Sequence, residues 1–170
     1  MATRGNKGRR PVFLNTSLED IHRSAARLAR RILKNEGRPA CIVYLERGGM
    51  VIARLLCDEL GVTEVIGVQA RLYKGIGKRS KQVEVDAFPR RLQRIKGTIL
   101  LADDVADSGI TMREVYRRLR AAVKNKIVTC TGDLKKCSVF VPDYYDRLVD
   151  SRDWIVYAYE KKEVKKELKK

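Results

Sequence analysis

The stretch that decides the fold is residues 99–111, which read ILLADDVADSGIT. Residues 99–102 form a short apolar run, typical of a strand that is buried on both faces. Asp103 and Asp104 follow where such a strand is expected to leave the core. A small polar turn comes next, and apolar residues then recur at helical spacing: Met112, Val115, Leu119 and Val123. The stretch therefore predicts a strand, a loop and a helix in direct succession.

The predicted loop has the chemistry of a phosphate site. Ser108, Gly109 and Thr111 are small or polar, and backbone N–H groups at the start of a helix bind anions. The carboxylates of Asp103 and Asp104 cannot bind phosphate directly, but they suit Mg²⁺ or the hydroxyls of an attached sugar. A solvated acidic loop beside a strand is the alternative interpretation, and two aspartates alone would favour it.

The rest of the chain alternates between helix and strand patterns. A capping box at Thr16-x-x-Glu19 predicts the start of a helix that ends near Gly37 and Pro39. That helix buries one face: Ile21, Ala25, Leu28, Ala29 and Ile32. The further elements predicted are strands over residues 41–45, 65–69, 127–131 and 155–159, a weak returning strand at Val83, Val85 and Phe88, and a helix over residues 50–60 that ends at Gly61. This order favours an α/β fold with a mostly parallel twisted sheet flanked by helices.

Composition excludes several classes of protein. The apolar runs are far too short to span a bilayer, and no secretory signal is recognised near the N-terminus, so no membrane contact and a cytoplasmic location are expected. Four scattered cysteines without a Cys-x-x-Cys pair indicate reduced thiols. His22 is the only histidine, which excludes His-rich zinc sites and argues against a Ser-His-Asp nucleophile. Acid–base chemistry must therefore use carboxylates, lysine or tyrosine.

The net charge of +16 is concentrated in three segments. Residues 1–10 carry four basic and no acidic side chains. Residues 71–96 carry nine basic and two acidic side chains, and residues 161–170 carry six basic and two acidic ones. We therefore expect a basic N-terminal tail over 1–10, a single domain over 11–160 and a Lys-rich C-terminal tail over 161–170. The tails suit nonspecific nucleic-acid contact.

The central stretch resembles the phosphoribosyl-pyrophosphate signature of the type I phosphoribosyltransferases. Leu45-Glu46-Arg47-Gly48-Gly49 is similar to the pyrophosphate loop of the purine enzymes, although Glu46 replaces the usual small residue. Residues 73–79 resemble the flexible catalytic loop of the same family, with Arg79 as the phosphate contact and Lys74 as its competitor. The resemblance implies a small hood region and a flexible lid loop beside the sheet.

A third match lies near the C-terminus. Lys135, the Pro142-Asp-Tyr-Tyr run, Trp154-Ile155 and Glu160 resemble the base-binding region of the short xanthine–guanine and hypoxanthine–guanine enzymes, especially archaeal-type ones. In that family an aromatic side chain stacks on the purine, the next residue's backbone meets its Watson–Crick edge, and a lysine donates to its 6-oxo group. The segment over residues 157–159, Tyr-Ala-Tyr, differs from the family's usual ending.

The resemblance assigns a role to each matched residue. It implies that Asp107 is the general base or proton relay. The implied purine contacts are Lys135, Trp154 and Ile155. The residues implied to hold Mg²⁺ are Asp103, Asp104 and Glu160. The implied contacts of phosphoribosyl pyrophosphate are Arg47, Gly48, Arg79, Asp103, Asp104, Val105, Ala106, Asp107, Ser108, Gly109, Ile110 and Thr111. A homodimer or higher homo-oligomer is usual for the family.

The implied activity is phosphoribosyl transfer to a 6-oxopurine, which is a reaction of purine salvage. The main alternative is a regulator that senses phosphoribosyl pyrophosphate and binds nucleic acid, which the net charge would suit. The presence of Asp107, Lys135 and Trp154 together favours the enzyme, because a sensor does not need all three. An enzyme that also binds RNA through its tails is a third possibility.

Overall fold

The structure, a computed structural model, describes residues 12–74 and 81–162. The strands are β1 (Phe13–Thr16), β2 (Cys41–Glu46), β3 (Val65–Lys74), β4 (Lys81–Val85), β5 (Ile99–Ala106), β6 (Ile127–Lys135), β7 (Tyr144–Val149) and β8 (Trp154–Tyr157). The helices are α1 (Leu18–Glu36), α2 (Gly49–Leu60) and α3 (Ile110–Ala122), with a 3-10 helix over Arg90–Arg94.

Six of these strands form one sheet in the order β4-β3-β2-β5-β6-β7. Every neighbouring pair is parallel except β3 and β4, which form an antiparallel pair. The central position of β2 and β5 places the ends of both strands beside each other at the carboxyl edge. The predicted α/β fold with a mostly parallel sheet is confirmed.

Both faces of the sheet are covered, as the apolar run in β5 predicts. Leu100 and Ala102 lie in the core on the side of α1 and α2, whereas Ile99 and Leu101 lie in the core that contains the buried face of α3. All four side chains are fully buried. Alternate side chains of a strand point to opposite faces, so an uninterrupted apolar run is what a two-sided core requires.

The capping-box prediction is wrong by one residue. The N-cap of α1 is Ser17, whose Oγ accepts from the N–H of Asp20 at 3.1 Å, while the Ser17 N–H donates to Asp20 at 3.0 Å. Thr16 is not available as the cap because it ends β1, where its Oγ1 accepts from Arg147 at 3.1 Å. The predicted apolar face of α1 is buried as expected.

Strands β1 and β7 were not predicted, and β8 does not join the main sheet. Instead, β8 pairs in parallel with β1 as a separate two-stranded sheet, with Trp154 opposite Phe13. Strand β7 has only weak alternation and adds to the edge of the main sheet beside β6. The β1–β8 pair is the small region beside the sheet that the resemblance implied.

Strand β3 extends to Lys74 and strand β4 begins at Lys81, so Tyr73 and Lys74 of the expected flexible loop belong to β3. Residues 75–80, and with them Arg79, lie outside the described part of the chain, as does most of the C-terminal tail. Among the described residues no helix has the length and apolarity needed to cross a bilayer.

Candidate active site

A cleft of about 440 Å³ opens at the carboxyl edge of the main sheet. We call it the main cleft. Strands β2, β5 and β6 and the β1–β8 pair each contribute to its wall, which is the position where open α/β sheets bind ligands. The lining residues are Leu45, Glu46, Gly48, Asp103, Asp104, Val105, Ala106, Asp107, Ser108, Gly109, Thr111, Met112, Lys135, Trp154, Ile155, Tyr157 and Glu160.

Asp103 and Asp104 lie inside β5 rather than after it. The strand continues to Ala106, because Val105 and Ala106 pair with Asp133 and Leu134 of the long neighbouring strand β6. The Asp104 side chain is buried, and the Val105 N–H donates to its Oδ1 at 2.8 Å. The prediction that the strand ends at residue 102 is therefore wrong, and both carboxylates are held by regular backbone.

Burial dominates the electrostatics of this pair. It raises the pKa of Asp103 well above the usual range, and the adjacent charge of Asp104 adds to the shift. Burial also raises the pKa of Asp104, against the effect of hydrogen bonds from Tyr159 and the Val105 N–H. Two adjacent carboxylates, Asp104 buried and Asp103 partly buried, favour a cation or hydroxyl donors as ligands.

The starts of α2 and α3 are both open to the cleft, unlike the start of α1. Helix α1 has its own capping box and acidic residues in its first turn. Gly48 and Gly109 precede α2 and α3, and neither helix has a capping side chain or an acidic residue in its first turn. The first N–H groups of a helix have no partner within it, so these two starts provide donors for anions.

Gly109 is required for the shape of the loop that precedes α3. Its φ of +73° lies in the left-handed region, which favours glycine. A Cβ there would collide with Ser138 and lie 2.7 Å from the backbone nitrogen of Phe140. The Val139 N–H donates to the Ser108 carbonyl at 3.0 Å, so the segment after β6 packs directly against this loop.

The predicted pyrophosphate loop leads from β2 into α2. A Cβ on Gly48 would overlap the Asp104 carboxylate, and one on Gly49 would lie 3.0 Å from Asp103 Oδ1, so both glycines permit close approach to the carboxylates. Arg47 does not line the main cleft; it lines an adjoining cavity with Gln69, Arg71, Tyr159 and other residues. The two cavities share Glu46, Gly48 and Glu160.

Glu46, the unexpected residue of this loop, is the last residue of β2. Its carboxylate lies over Gly67 of β3, where a Cβ would collide with it and with the Tyr44 hydroxyl. The glycine thus provides the space for a side chain that is larger than the usual one at this position.

The predicted base contacts meet at the other end of the main cleft. Lys135 is the last residue of β6, and its Nζ lies 3.0 Å from Asp107 Oδ1. Trp154 and Ile155 begin β8 and line the same cleft, with 45% of Trp154 exposed. Pro142 and the next three residues do not line it; the Asp143 carboxylate instead accepts from the Thr129 N–H and Oγ, both at 2.8 Å, which joins β7 to β6.

The family of this chain follows from residues 15–162, which match the model of the phosphoribosyl transferase domain. The chain belongs to the phosphoribosyltransferases. It is 26% identical over 148 residues to a xanthine-guanine phosphoribosyltransferase of Gluconobacter oxydans (strain 621H), which covers 87% of this chain and 84% of the relative.

Solved structures show the same phosphoribosyltransferase fold. A purine phosphoribosyltransferase from Pyrococcus horikoshii Ot3 has a TM-score of 0.72 at 24% identity and covers 86% of this chain and 93% of its own. The xanthine-guanine-hypoxanthine phosphoribosyltransferase of Helicobacter pylori has a TM-score of 0.75 at 22% identity. The match covers 92% of this chain and 99% of the Helicobacter pylori chain.

The Mg²⁺ that the phosphoribosyltransferase family implies fits the residues of the cleft in part. Asp103, Asp104 and Glu160 all line the main cleft and offer carboxylate oxygens. Among residues 12–74 and 81–162, however, no three acidic, histidine or cysteine side chains are arranged to hold a metal ion. Mg²⁺ commonly takes only one or two carboxylates and completes its shell with water and substrate phosphates. The donor set therefore fits a metal that arrives with its substrate.

Sequence reasoning missed a polar network behind the carboxylates of this phosphoribosyltransferase. Arg147 donates to Asp133 through two bonds, at 2.6 and 3.0 Å. The Tyr157 hydroxyl donates to Asp133 at 2.7 Å, and the Tyr159 hydroxyl donates to Asp104 Oδ2 at 2.7 Å. The one signal in the sequence was the unusual Tyr-Ala-Tyr ending after Trp154, which gave no indication of these partners.

Proposed function

We propose that this chain transfers a 5-phosphoribosyl group from phosphoribosyl pyrophosphate to N9 of a 6-oxopurine, which yields a nucleotide and pyrophosphate. The observation that carries the proposal is the composition of one cleft. Two uncapped helix starts, two adjacent carboxylates and the pair Lys135 and Trp154 all face the same space. Guanine, xanthine and hypoxanthine are the candidate bases, as in purine salvage.

The helix starts account for the two ends of the donor substrate. Backbone N–H groups from Ser108 to Thr111 bind the 5′-phosphate at the start of α3, where no acidic side chain competes. The start of α2 binds the pyrophosphate through Gly48, and Arg47 and Arg79 add positive charge. Asp103 and Asp104 lie between these two ends and accept the ribose hydroxyls.

The base binds between Lys135 and Trp154. An indole face gains affinity by stacking on a flat purine, and Trp154 has the exposure to do so without rearrangement. The Lys135 ammonium donates to the 6-oxo group, and the backbone of Ile155 meets the Watson–Crick edge. An amino group at the 6-position offers the ammonium no acceptor, which selects against adenine.

The reaction breaks the bond between the ribose C1 and the pyrophosphate oxygen and forms a bond from C1 to purine N9. Positive charge develops on the ribose and negative charge on the leaving group, so the cations around the pyrophosphate stabilise the transition state. Asp107, exposed over 63% of its side chain at the mouth of the cleft, holds or removes the purine proton at N7. When Mg²⁺ is bound with the substrate, it supplies further charge to the pyrophosphate.

A steady-state assay with phosphoribosyl pyrophosphate, Mg²⁺ and one purine at a time tests this proposal. We expect nucleotide from guanine, xanthine or hypoxanthine and none from adenine. Failure to form any nucleotide, with phosphoribosyl pyrophosphate still bound in calorimetry, would favour the sensing regulator. Failure to bind that substrate would overturn both.

A further inference from the structure

The Asp104 carboxylate is enclosed on three sides. The Val105 N–H donates to Oδ1 at 2.8 Å, and the Tyr159 hydroxyl donates to Oδ2 at 2.7 Å. On the third side, Gly48 approaches so closely that a Cβ there would overlap the carboxylate. The Asp103 side chain also forms a hydrogen bond with this carboxylate. A carboxylate has about four lone-pair positions, so about one remains for a ligand in the cleft.

Tyr159 is brought to Asp104 by a turn that the backbone fixes. The Ala158 N–H donates to the Thr16 carbonyl at 2.9 Å, and the Glu160 N–H donates to the Tyr157 carbonyl at 3.0 Å. These two bonds hold the residues on either side of Tyr159. The backbone at the end of the β1–β8 pair therefore fixes the position of the Tyr159 hydroxyl.

The Tyr159 ring is held as firmly as its backbone. It stacks on the Tyr157 ring with centroids 5.2 Å apart and planes 3° from parallel. The Tyr157 hydroxyl in turn donates to Asp133, which receives both bonds from Arg147. The stack therefore links Asp104 to a two-bond ion pair between the half-exposed Arg147 and the buried Asp133. Such support fixes the orientation of the group it contacts.

We propose that Tyr159 is a positioning residue that holds the Asp104 carboxylate in the orientation which receives the ribose hydroxyls of phosphoribosyl pyrophosphate. The inference rests on the proposed function and extends it to a residue outside the matched motifs. Without the hydroxyl, the Asp104 carboxylate keeps the bond from Val105 and its hydrogen bond with the Asp103 side chain, which hold its orientation less firmly. Ordering it again when the substrate binds then costs affinity.

The test is Tyr159→Phe, which removes the hydroxyl and keeps the stacked ring. We expect the dissociation constant for phosphoribosyl pyrophosphate with Mg²⁺, measured by calorimetry, to rise about tenfold, as for loss of a hydrogen bond to a charged group. Purine binding, followed by the fluorescence of Trp154, the only tryptophan, stays within about twofold of the wild-type value.

Tyr144→Phe is the matched control, because the Tyr144 hydroxyl also donates to a carboxylate, that of Glu36 at 3.1 Å, and does not line the main cleft. It should leave both affinities unchanged. Asp104→Asn provides a second background: if Tyr159 acts through Asp104, Tyr159→Phe should weaken binding much less there than in the wild type.

Each outcome decides between the two proposals. Equal binding by wild type and Tyr159→Phe would overturn the positioning role and leave the proposed function intact. An equal loss in the Asp104→Asn background would also overturn it, since Tyr159 would then act by another route. A wild-type chain that does not bind phosphoribosyl pyrophosphate would overturn the proposed function itself, and the positioning role with it.

Discussion

The Lys135 ammonium and the Asp107 carboxylate form an ion pair across the mouth of the main cleft, with Nζ 3.0 Å from Oδ1. Lys135 is buried to all but 11% of its side chain, whereas Asp107 is 63% exposed. The pair arises because Lys135 ends β6 and Asp107 directly follows β5, two parallel neighbours whose Ala106 and Leu134 are in register. Under the proposed function, a purine binds beside this pair and interacts with both the Lys135 ammonium and the Asp107 carboxylate.

Asp107→Asn tests the acid–base role. The amide has nearly the same shape but cannot accept a proton, so we expect turnover to fall by about 10²–10⁴-fold. Binding of phosphoribosyl pyrophosphate should persist, because its contacts are mainly backbone groups and other carboxylates. Steady-state rates and calorimetry measure the two effects separately. A variant with nearly normal turnover would remove Asp107 from the mechanism.

Lys135→Ala and Trp154→Ala should affect purine binding in different ways. Loss of Lys135 should narrow the preference for guanine over adenine, because a site that bonds a substrate group discriminates against analogues that lack it. Loss of Trp154 should raise KM for every purine, since stacking does not distinguish the 6-substituent. Values of kcat/KM for the four purines check both. An unchanged preference in Lys135→Ala would contradict the assignment of the base pocket.

Gly109→Ala should cost more stability than Gly61→Ala. Both glycines have positive φ, +73° and +65°, so alanine adds backbone strain of about 1–2 kcal/mol at either site. At Gly61 the atoms nearest to the new methyl group would be those of the Arg38 side chain, at 3.6 Å or more, whereas at Gly109 it would collide with Ser138. Denaturant unfolding measures the difference. Equal losses would show that the loop before α3 adjusts freely.

Glu114 should contribute stability that is lost in acid. Hydrogen bonds from Arg117 and Arg118 lower its pKa from 4.5 to about 2. A lowered pKa means that the contribution is complete above about pH 4.5 and disappears as the pH falls towards 2. The two arginines are exposed, so the effect is under about 1 kcal/mol.

Glu114→Gln should therefore lower the free energy of unfolding slightly at pH 7 and much less at pH 3. Glu84→Gln, at an exposed position of β4, is the control. A Glu114→Gln deficit that is as large at pH 3 as at pH 7 would show that the ion pairs are not its cause.

Deletion of residues 161–170 should leave catalysis nearly unchanged and weaken any nonspecific nucleic-acid binding. Removing six basic and two acidic residues should also reduce the salt dependence of that binding. Activity assays and binding to a random RNA at several salt concentrations measure the two effects. A large loss of activity would show that the tail completes the fold or the site.

The sequence was most informative where a residue's role depends on its neighbours in the chain. The apolar run at 99–102, the helix after Gly109 and the turn at Gly48 all follow from local pattern. Gly48 and Gly109 both line the main cleft. The capping box was misplaced because Thr16 is held in β1 by a partner at the far end of the chain. Local pattern contains no information on such pairing.

The same limit explains the missed polar network. Tyr159 and Asp104 are 55 positions apart, and Arg147 and Thr16 are 131 apart. Each of these residues alone is an ordinary tyrosine, aspartate, arginine or threonine on a strand or turn. Only the three-dimensional arrangement shows that they form hydrogen bonds behind the carboxylates of the main cleft.

The pairing of β1 with β8 also determines how late in synthesis the domain can finish folding. The Val12 N–H donates to the Asp153 carboxylate at 3.2 Å, and these two residues are 141 positions apart in the chain. The Trp154 N–H donates to the Val12 carbonyl at 2.8 Å. A ribosome releases the N-terminal part first, so β1 must wait until almost the whole domain has emerged. The main sheet can assemble earlier, and the wall formed by Trp154 and Ile155 is then the last part of the cleft to form. A nascent chain stalled before β8 would contain both helix starts and both carboxylates but neither Trp154 nor Ile155, the residues proposed to hold the base.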